Sequence, residues 1–250
     1  MRIKYLSPPR AFLCVDKVGI SVSIKYMAIR KTSFIVGEYY HIYNRGVDKR
    51  VVFNDDYDYK RFMMLLYLCN GTKSLTIRDI LSKKLSLEEI FLFDMGEKII
   101  DIVAYCAMPN HFHLLVKERI NGGISMFMEK LATAYVMYFN TKNERSGSLF
   151  EGKFKAKNID NNPYLNWVFS YIHTNPIKLF DYNWKENGIV DPEATKDFIK
   201  NYKYSSYCDY FVEKRAEDTI LNKDIFLDNL EQLNDFVDLI NKAREEVIPT

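Results

Sequence analysis

The sequence predicts an α+β fold of the split βαβ (ferredoxin-like or RRM-like) type: one antiparallel sheet, helices on one face, an extra helix and a helical C-terminal extension. Three observations support it. Segments with strand periodicity alternate with segments of helical periodicity. A Pro-Asn turn joins two strands into a hairpin. The 250 residues, 48% of them apolar, are sufficient for a buried core.

The elements follow one another in the order strand, helix, strand, strand, helix, strand, helix. Acidic residues mark the start of the first helix, and Asn162-Pro163 marks the start of the last. The predicted elements are a strand at 38–43, a helix at 55–69, a hairpin of 99–108 and 111–117, a helix at 124–140, a short strand pair around Leu149 and Phe154, and a helix from Asn162 that stops before Pro176.

Charge and motif content divide the chain into three parts. Residues 1–26 carry five basic and one acidic residue and no motif, whereas residues 211–250 carry five basic and ten acidic residues. We expect an N-terminal extension at 1–33, a central domain at 34–195 with an insertion at 70–97, and an acidic helical extension at 196–250. Residues 1–26 are interpreted as dispensable, because Met27 resembles an ordinary protein start.

Composition excludes several classes of protein. The four cysteines, at positions 14, 69, 106 and 208, form no CxxC pair, which argues against a structural zinc site and a secreted disulfide framework. The sequence shows neither a signal-peptide core nor a membrane span. We therefore expect a soluble, cytoplasmic protein. With 35 basic and 33 acidic residues, any contact with nucleic acid must be local.

Two histidines lie two positions apart in the second hairpin strand, at His111 and His113. Side chains alternate along a strand, so both imidazoles share one face. Such a pair is half of a divalent-metal site, and imidazole suits Mn²⁺ among other metals. The plainer interpretation is two solvent-exposed strand histidines. The other histidines, His41 and His173, are expected to be structural and to lie apart from the pair.

A third ligand should carry oxygen, and Tyr171 and Asn175 are spaced to share one helical face. A phenol with a pKa of about 10 is a weak nucleophile unless a positive centre assists it. A metal provides that centre, and attack on a phosphodiester would give a phosphotyrosine ester. The plainer interpretation is that Tyr171, one of 18 tyrosines, is a packing residue.

A basic segment interleaved with Phe150 and Phe154 precedes the last helix. Its cations suit phosphates and its aromatic rings suit unstacked bases. The alternative is a solvated hairpin with core phenylalanines. Near the first strand, Asn44 and Arg45 are turn residues, of which Arg45 could contact a phosphate. The basic residues of the segment are Lys142, Arg145, Lys153, Lys155 and Lys157.

Four ordered segments resemble the HUH single-tyrosine transposases, which include the REP-associated tyrosine transposases. The resemblance covers about residues 34–210. Its segments are YHIYNRG at 40–46, the His-Phe-His core within 108–116, RSGSLFEGKFKA at 145–156 and YIHTNP at 171–176. Two departures are the long insertion at 70–97 and Lys153, where many relatives have arginine.

The resemblance implies a metal-dependent nuclease and strand transferase that acts on single-stranded, hairpin-forming DNA with Mg²⁺ or Mn²⁺, as a monomer or homodimer. The family's metal ligands fall on His111, His113 and Asn175, and its nucleophile falls on Tyr171, carried by the extra helix. The residues expected to bind DNA are Asn44, Arg45, Arg145, Lys153, Lys155 and Lys157.

Two other function classes stay open. One is a domesticated DNA-binding protein that keeps the fold without moving DNA, although the presence of both histidines, Tyr171 and Asn175 argues against a dead site. The other is a metal-dependent phosphohydrolase that uses water as its nucleophile. Only the transposase forms a covalent adduct between protein and DNA.

Overall fold

The computed structural model describes residues 33–83, 85–231, 233 and 235–245, without the side chains at positions 78 and 81. From Phe34 onward, the described residues form one compact unit. The predicted extension of residues 1–26 and the suggested start at Met27 lie outside the described residues.

Strands and helices alternate along the described chain. Short 3₁₀ turns occur at Val47–Lys49, Asn175–Leu179, Ala216–Ile220 and Asp224–Phe226. The elements are β1 (Tyr39–Arg45), α1 (Asp56–Leu68), α2 (Ile77–Ser82), α3 (Leu87–Phe91), β2 (Ile100–Met108), β3 (His111–Glu118), α4 (Gly123–Lys142), β4 (Lys155–Ile159), α5 (Asn162–Thr174), α6 (Trp184–Asn187), α7 (Pro192–Asn201), α8 (Tyr207–Phe211), α9 (Leu227–Leu230) and α10 (Phe236–Arg244). Within the described part of the chain, no helix is both long and apolar enough to cross a membrane.

The four strands form one antiparallel sheet in the order β2-β3-β1-β4. β1 is central, since it pairs with β3 on one side and with β4 on the other. Tyr43 faces His113 across one pairing and Lys155 across the other, and Arg45 faces His111. The predicted α+β class with an antiparallel sheet is confirmed.

Capping residues explain where α1 and α5 begin. Asp55 caps α1 by accepting a hydrogen bond from the Asp58 amide at 3.1 Å. Asn161, one residue earlier than predicted, caps α5 by accepting from the Tyr164 amide at 2.8 Å. α5 ends at Thr174, as the proline that follows at 176 predicts, and the chain continues as a 3₁₀ turn.

Side-chain alternation on β3 gives the sheet two packed faces. Phe112, Leu114 and Val116 belong to one apolar cluster with α1 and α4. Leu115 belongs to a second cluster with α5 and α10 on the opposite face. The helix that carries Tyr171 therefore covers the face on which His111 and His113 lie.

The predicted strand pair around Leu149 and Phe154 is wrong. Phe150 makes only an isolated bridge to Gly46, and the strand of this region is β4, which pairs with β1. Local alternation of apolar residues cannot show which distant strand is the partner. Pairing with β1 places Lys155 and Lys157 on the edge of the sheet.

The C-terminal segment packs against the sheet and against α5. α10 lies along α5, and Trp167 Nε1 donates to the Glu245 carbonyl at 3.1 Å. Arg215 donates two hydrogen bonds to Asp209, at 3.0 and 2.7 Å, and a third to the Tyr105 hydroxyl at 3.3 Å. The Asp209 side chain is 0% exposed. A buried, bidentate ion pair therefore ties this segment to β2.

We predict that Arg215→Met lowers the free energy of unfolding by about 3–5 kcal/mol, because Asp209 would keep a buried charge without its partner. Urea unfolding followed by circular dichroism measures the change. The control is the exposed neighbour variant Lys214→Met, which should stay within about 0.5 kcal/mol of wild type. Equal losses in the two variants would show that the ion pair does not hold the segment.

Candidate functional site

The sheet face that carries both histidines opens into a cleft where β1 ends and where β3 and β4 begin. The volume of this cleft is about 630 Å³. Because the strands are antiparallel, the end of β1 lies beside the starts of both neighbours. All four strands contribute to the wall, β2 through Met108, together with α5 and its following turn. The wall includes Tyr43, His111, His113, Lys155, Tyr171 and Asn175.

His111 and His113 lie next to each other on this face, as strand alternation predicts. Their ring centroids are 5.0 Å apart and the rings are nearly perpendicular, at 89°. His113 is 6% exposed and His111 is half-buried. The plainer interpretation of two solvent-exposed strand histidines is therefore wrong.

Asn110 fixes the tautomer of the neutral His111 ring. The Asn110 amide nitrogen donates to the Lys49 carbonyl at 3.2 Å, which turns its oxygen toward the histidine. Nδ1 of His111 lies 2.6 Å from that oxygen. An amide oxygen only accepts hydrogen bonds, so Nδ1 is the donor. The lone pair on Nε2 of His111 is then available for another partner.

His113 is hydrogen-bonded to a third histidine, His41. Nε2 of His41 lies 2.9 Å from Nδ1 of His113, and the rings stack with centroids 5.1 Å apart. The expectation that His41 lies apart from the pair is wrong, because the register of β1 brings it to the same face. Within the described residues, Nε2 of His113 has no hydrogen-bond partner. His173 does lie apart, buried and 2.7 Å from the Ser206 hydroxyl.

Tyr171 and Asn175 lie one helical turn apart, and both reach the cleft. The Tyr171 ring meets the His113 ring edge-on, with centroids 5.3 Å apart. One turn earlier, Trp167 stacks on Tyr171 at 5.1 Å and 11°. Asn175 is 3% exposed, and its amide nitrogen has no partner among the residues described. The two histidines, the tyrosine and the asparagine thus share one cleft.

Burial keeps the imidazoles of the cleft neutral. It lowers the pKa of His41 to about 3. Burial, together with the positive charge of Arg45, lowers the pKa of His111 to about 4. Burial and the neighbouring His41 hold the pKa of His113 well below its ordinary value. Neutral imidazoles keep the lone pairs that binding of a metal requires.

The Tyr171 phenol lies in a mixed apolar and cationic environment. Burial raises its pKa, and the Asn175 side chain opposes the rise. Lys185 Nζ lies 4.6 Å from the centroid of the Tyr171 ring. Burial and the nearby Lys178 lower the pKa of Lys185 to about 8. Burial therefore keeps the phenol protonated at neutral pH, and Lys185 makes a cation–π contact with its ring.

Three of the predicted DNA-binding residues are cations that lie in or beside the cleft. Arg45 and Lys155 line its wall. Lys157 follows two positions later on β4, opposite His41 and therefore on the same sheet face. These three cations and the histidines thus belong to one continuous surface.

Asn44 also lines the cleft, although its side chain is engaged within the fold, and the other two predicted DNA-binding residues lie elsewhere. Asn44 is buried, and its side chain donates to the Gly152 carbonyl at 3.1 Å, so it stabilises the loop before β4. Arg145 donates to the Ser148 carbonyl at 3.1 Å and holds the turn after α4. Arg145 and Lys153 lie outside the cleft wall as the described residues form it. Lys153 is exposed just before β4.

The cleft wall also includes Lys49, Lys178 and Tyr182, which are not among the predicted site residues. Tyr182 is 79% exposed, and both lysines are exposed. Lys178 follows Asn175 by three positions, a spacing that places it on the next turn. The spacing of Lys178 from Asn175 and the aromatic residues that follow it could have indicated these two positions. No local sequence pattern indicates Lys49 or the register of β1.

The cleft offers nitrogen and amide donors for a divalent ion. The described ranges contain no group of three or more His, Cys, Asp or Glu side chains arranged to hold a metal. Nε2 of the buried His113 and the amide nitrogen of Asn175 lack partners within the described chain. Nε2 of His111, Nε2 of His113 and the amide oxygen of Asn175 would make two imidazole donors and one oxygen donor, a set that suits Mn²⁺ and leaves positions for phosphate or water oxygen. The residues present therefore fit a divalent ion.

Comparison with known proteins gives one family. Residues 35–175, more than half of the chain, match the family model described as transposase IS200 like. One similar solved structure is described as "Structure of the REP associates tyrosine transposase bound to a REP hairpin". The two sequences are 12% identical, and the match covers 72% of this chain and 82% of the chain in that structure, with a TM-score of 0.44. None of the curated proteins matches this chain.

We predict that none of the four histidines of the metal-free protein titrates between about pH 5.5 and 8, because burial lowers each pKa below the ordinary value of about 6.5. Proton NMR of the imidazole resonances measures this. Arg45→Met should raise the pKa of His111, since a nearby positive charge is removed, and leave that of His173 unchanged. A folded-state midpoint near 6.5 for any histidine would contradict this account of the cleft.

Proposed function

Because the chain belongs to the family of IS200-like transposases, we propose that it cuts and rejoins single-stranded, hairpin-forming DNA through a covalent bond to Tyr171. The observation that carries the proposal is a single cleft lined by Tyr171, His111, His113 and Asn175, with Lys155 on the same sheet face. These groups are a nucleophile, a set of metal donors and a cation for phosphate.

In the proposed reaction, Oη of Tyr171 attacks the phosphorus of a DNA phosphodiester. A tyrosyl oxygen–phosphorus bond forms and the phosphorus–oxygen bond to one deoxyribose breaks. The phenol loses its proton, and the freed deoxyribose oxygen gains one. The phosphotyrosine ester preserves the energy of the broken bond, so a DNA hydroxyl can later attack it, restore a phosphodiester and release the phenol. The sequence of steps is balanced without a nucleotide cofactor.

The surroundings of Tyr171 suit this role. Its ring is held between the Trp167 stack and the His113 edge, so the hydroxyl has few orientations to lose when DNA binds. The phenol is protonated at rest because burial raises its pKa. Lys185, 4.6 Å from the ring centroid, adds a cation–π contact that further fixes the ring.

We propose that His111 and His113, through Nε2, and Asn175, through its amide oxygen, hold Mg²⁺ or Mn²⁺. When bound, such an ion polarises a phosphate oxygen and stabilises charge on the leaving oxygen. The chain keeps both imidazoles neutral by burial, and Asn110 keeps the Nε2 lone pair of His111 available. Burial also shields these groups from competing water.

The DNA backbone is proposed to follow the sheet face that carries Arg45, Lys155 and Lys157. Lys178 adds a further cation to the lining of the cleft, and the exposed ring of Tyr182 offers a surface on which an unstacked base can stack. Cations along one path bind phosphates without regard to sequence. Recognition of a particular hairpin then requires contacts beyond this path.

We predict that Tyr171→Phe abolishes the covalent adduct with hairpin DNA while DNA affinity stays within about twofold of wild type, because only the attacking oxygen is removed. Denaturing gel electrophoresis after incubation with Mn²⁺ detects the adduct, and fluorescence anisotropy measures affinity. The matched control is Tyr182→Phe, which removes the hydroxyl of another cleft tyrosine and should still form the adduct.

An adduct that persists in Tyr171→Phe would move the nucleophile to another tyrosine. Tyr135 and Tyr138, both on α4, are poorly suited to replace it. The Tyr135 hydroxyl donates to the Val52 carbonyl at 2.6 Å, and the Tyr138 hydroxyl donates to the Asp58 carboxylate at 2.8 Å. Both hydroxyls are occupied on the α1 and α4 side of the sheet.

The same gel separates the other function classes. DNA binding without cleavage would indicate a domesticated DNA-binding protein. Cleavage by Tyr171→Phe with no adduct in either protein would indicate a hydrolase that uses water. The transposase predicts an adduct in the wild type and its loss in the variant.

We predict that replacing Lys153, Lys155 and Lys157 together by Ala lowers the slope of log affinity against log salt by about 0.7 for each DNA phosphate that these lysines neutralise, without changing sequence preference. Anisotropy titrations at several salt concentrations measure the slope. The control replaces three exposed lysines of the C-terminal segment, Lys200, Lys203 and Lys214, and should keep the wild-type slope. Identical slopes in the two triple variants would place the DNA path elsewhere.

A further inference from the structure

We propose that His41 is a positioning residue that fixes the tautomer of His113, so that the Nε2 lone pair of His113 faces the cleft. Neither the His-x-His pair nor its spacing assigns any role to this third histidine. The inference rests on the proposed function for its consequence, which is tighter binding of the divalent ion. The tautomer itself is independent of any metal.

The contact between the two histidines is direct and buried. Nε2 of His41 lies 2.9 Å from Nδ1 of His113, with both side chains 6% exposed. The rings stack at 26°, and the Tyr43 ring, 5.1 Å from His41 and 5.8 Å from His113, packs against both. His113 therefore has little freedom to rotate away from His41.

Only one direction of this hydrogen bond leaves His113 able to bind a ligand as a base. If Nδ1 of His113 donates to His41, its Nε2 carries a lone pair. If His41 donates instead, Nε2 of His113 carries a proton and becomes a buried donor. No acceptor for such a donor exists among the described residues, and an unpaired buried donor costs about 1–3 kcal/mol. In the other tautomer, Nε2 of His113 directs a lone pair into the cleft, where it can bind an electrophile.

His111 has the same tautomer, which a different acceptor fixes. Its Nδ1 donates to the Asn110 oxygen at 2.6 Å, which leaves its Nε2 lone pair available. Histidines that bind metals commonly donate their other ring N–H to a fixed acceptor, and removal of such an acceptor typically weakens metal binding or activity 10- to 100-fold. In this cleft Asn110 is the acceptor for one histidine, and His41 is the acceptor for the other.

A packing role alone does not require a nitrogen at position 41. His41 faces Leu115 across the strand pair and lies beside the second apolar cluster, where an aliphatic or aromatic side chain would fill the space. Burying an imidazole there without a hydrogen bond would be unfavourable. The contact with Nδ1 of His113 supplies that bond and gives the polar group a function.

Two variants and two measurements test the proposal. His41→Gln keeps a side-chain acceptor near the position of Nε2, whereas His41→Phe keeps a planar ring without an acceptor. Long-range ¹H–¹⁵N NMR of the metal-free protein identifies which nitrogen of His113 carries the proton, and only four histidines need assignment. Calorimetric titration with Mn²⁺ measures metal affinity, and thermal unfolding reports any loss of fold.

We expect the Nδ1–H tautomer at His113 in wild type and His41→Gln, and the Nε2–H tautomer in His41→Phe. Mn²⁺ affinity should fall about 10- to 100-fold in His41→Phe and remain within about threefold of wild type in His41→Gln. If the role of His41 were merely structural, its replacement would change the unfolding temperature but not the tautomer of His113 or the affinity for Mn²⁺. That result would overturn the proposal.

Failure of the proposal is distinguishable from failure of the proposed function. An Nε2–H tautomer at His113 in the wild-type protein would overturn the role of His41 even if His41→Phe does not fold. Wild-type protein with the Nδ1–H tautomer but no Mn²⁺ affinity would support the positioning role and overturn the metal-dependent function. If folded His41→Phe keeps the wild-type affinity for Mn²⁺ and the Nδ1–H tautomer of His113, the positioning role is overturned and the proposed function is not.

Discussion

The antiparallel pairing of β1 with both of its neighbours determines the composition of the cleft. This pairing places Tyr43 opposite His113 and Lys155, and Arg45 opposite His111. A slip of one residue would turn the histidines into the apolar cluster and bring Phe112 to the cleft face, since side chains alternate. Phe112, 2% exposed and packed with α1 and α4, opposes that slip. Hydrophobic packing on one face therefore sets the polar chemistry of the other.

The position of Tyr171 relative to the strand histidines depends on residues beyond the family match, which ends at position 175. α5 contacts β2 and β3 on its inner side and α10 on its outer side. Lys185, which lies over the Tyr171 ring, also donates to the Ala243 carbonyl at 3.3 Å. The acidic C-terminal segment thus supports the helix that carries the tyrosine.

Patterns short in sequence were enough to predict the hairpin, the helices and the shared face of His111 and His113, because alternation and capping act over a few residues. Contacts that depend on long-range register were not predictable. The partner of β4 and the approach of His41 to His113 both follow from pairings across more than 70 residues. Charge alone also misled at Arg145, whose guanidinium is hydrogen-bonded to its own turn. A basic residue in a sequence does not show whether its charge stabilises the fold or faces a ligand.

The donors of the cleft share one electrostatic property, which is that all are neutral. The imidazoles of His111 and His113 stay uncharged because burial lowers their pKa values, and the Asn175 amide has no charge to lose. A divalent ion held by neutral donors would keep its full double charge, whereas carboxylate donors would cancel part of it. Among the described residues, the same wall carries four cations, Arg45, Lys49, Lys155 and Lys178, against one carboxylate, Glu151, so its charge is positive. Such a site attracts a phosphate group strongly and binds the metal itself less tightly, so metal and DNA would stabilise each other in the cleft.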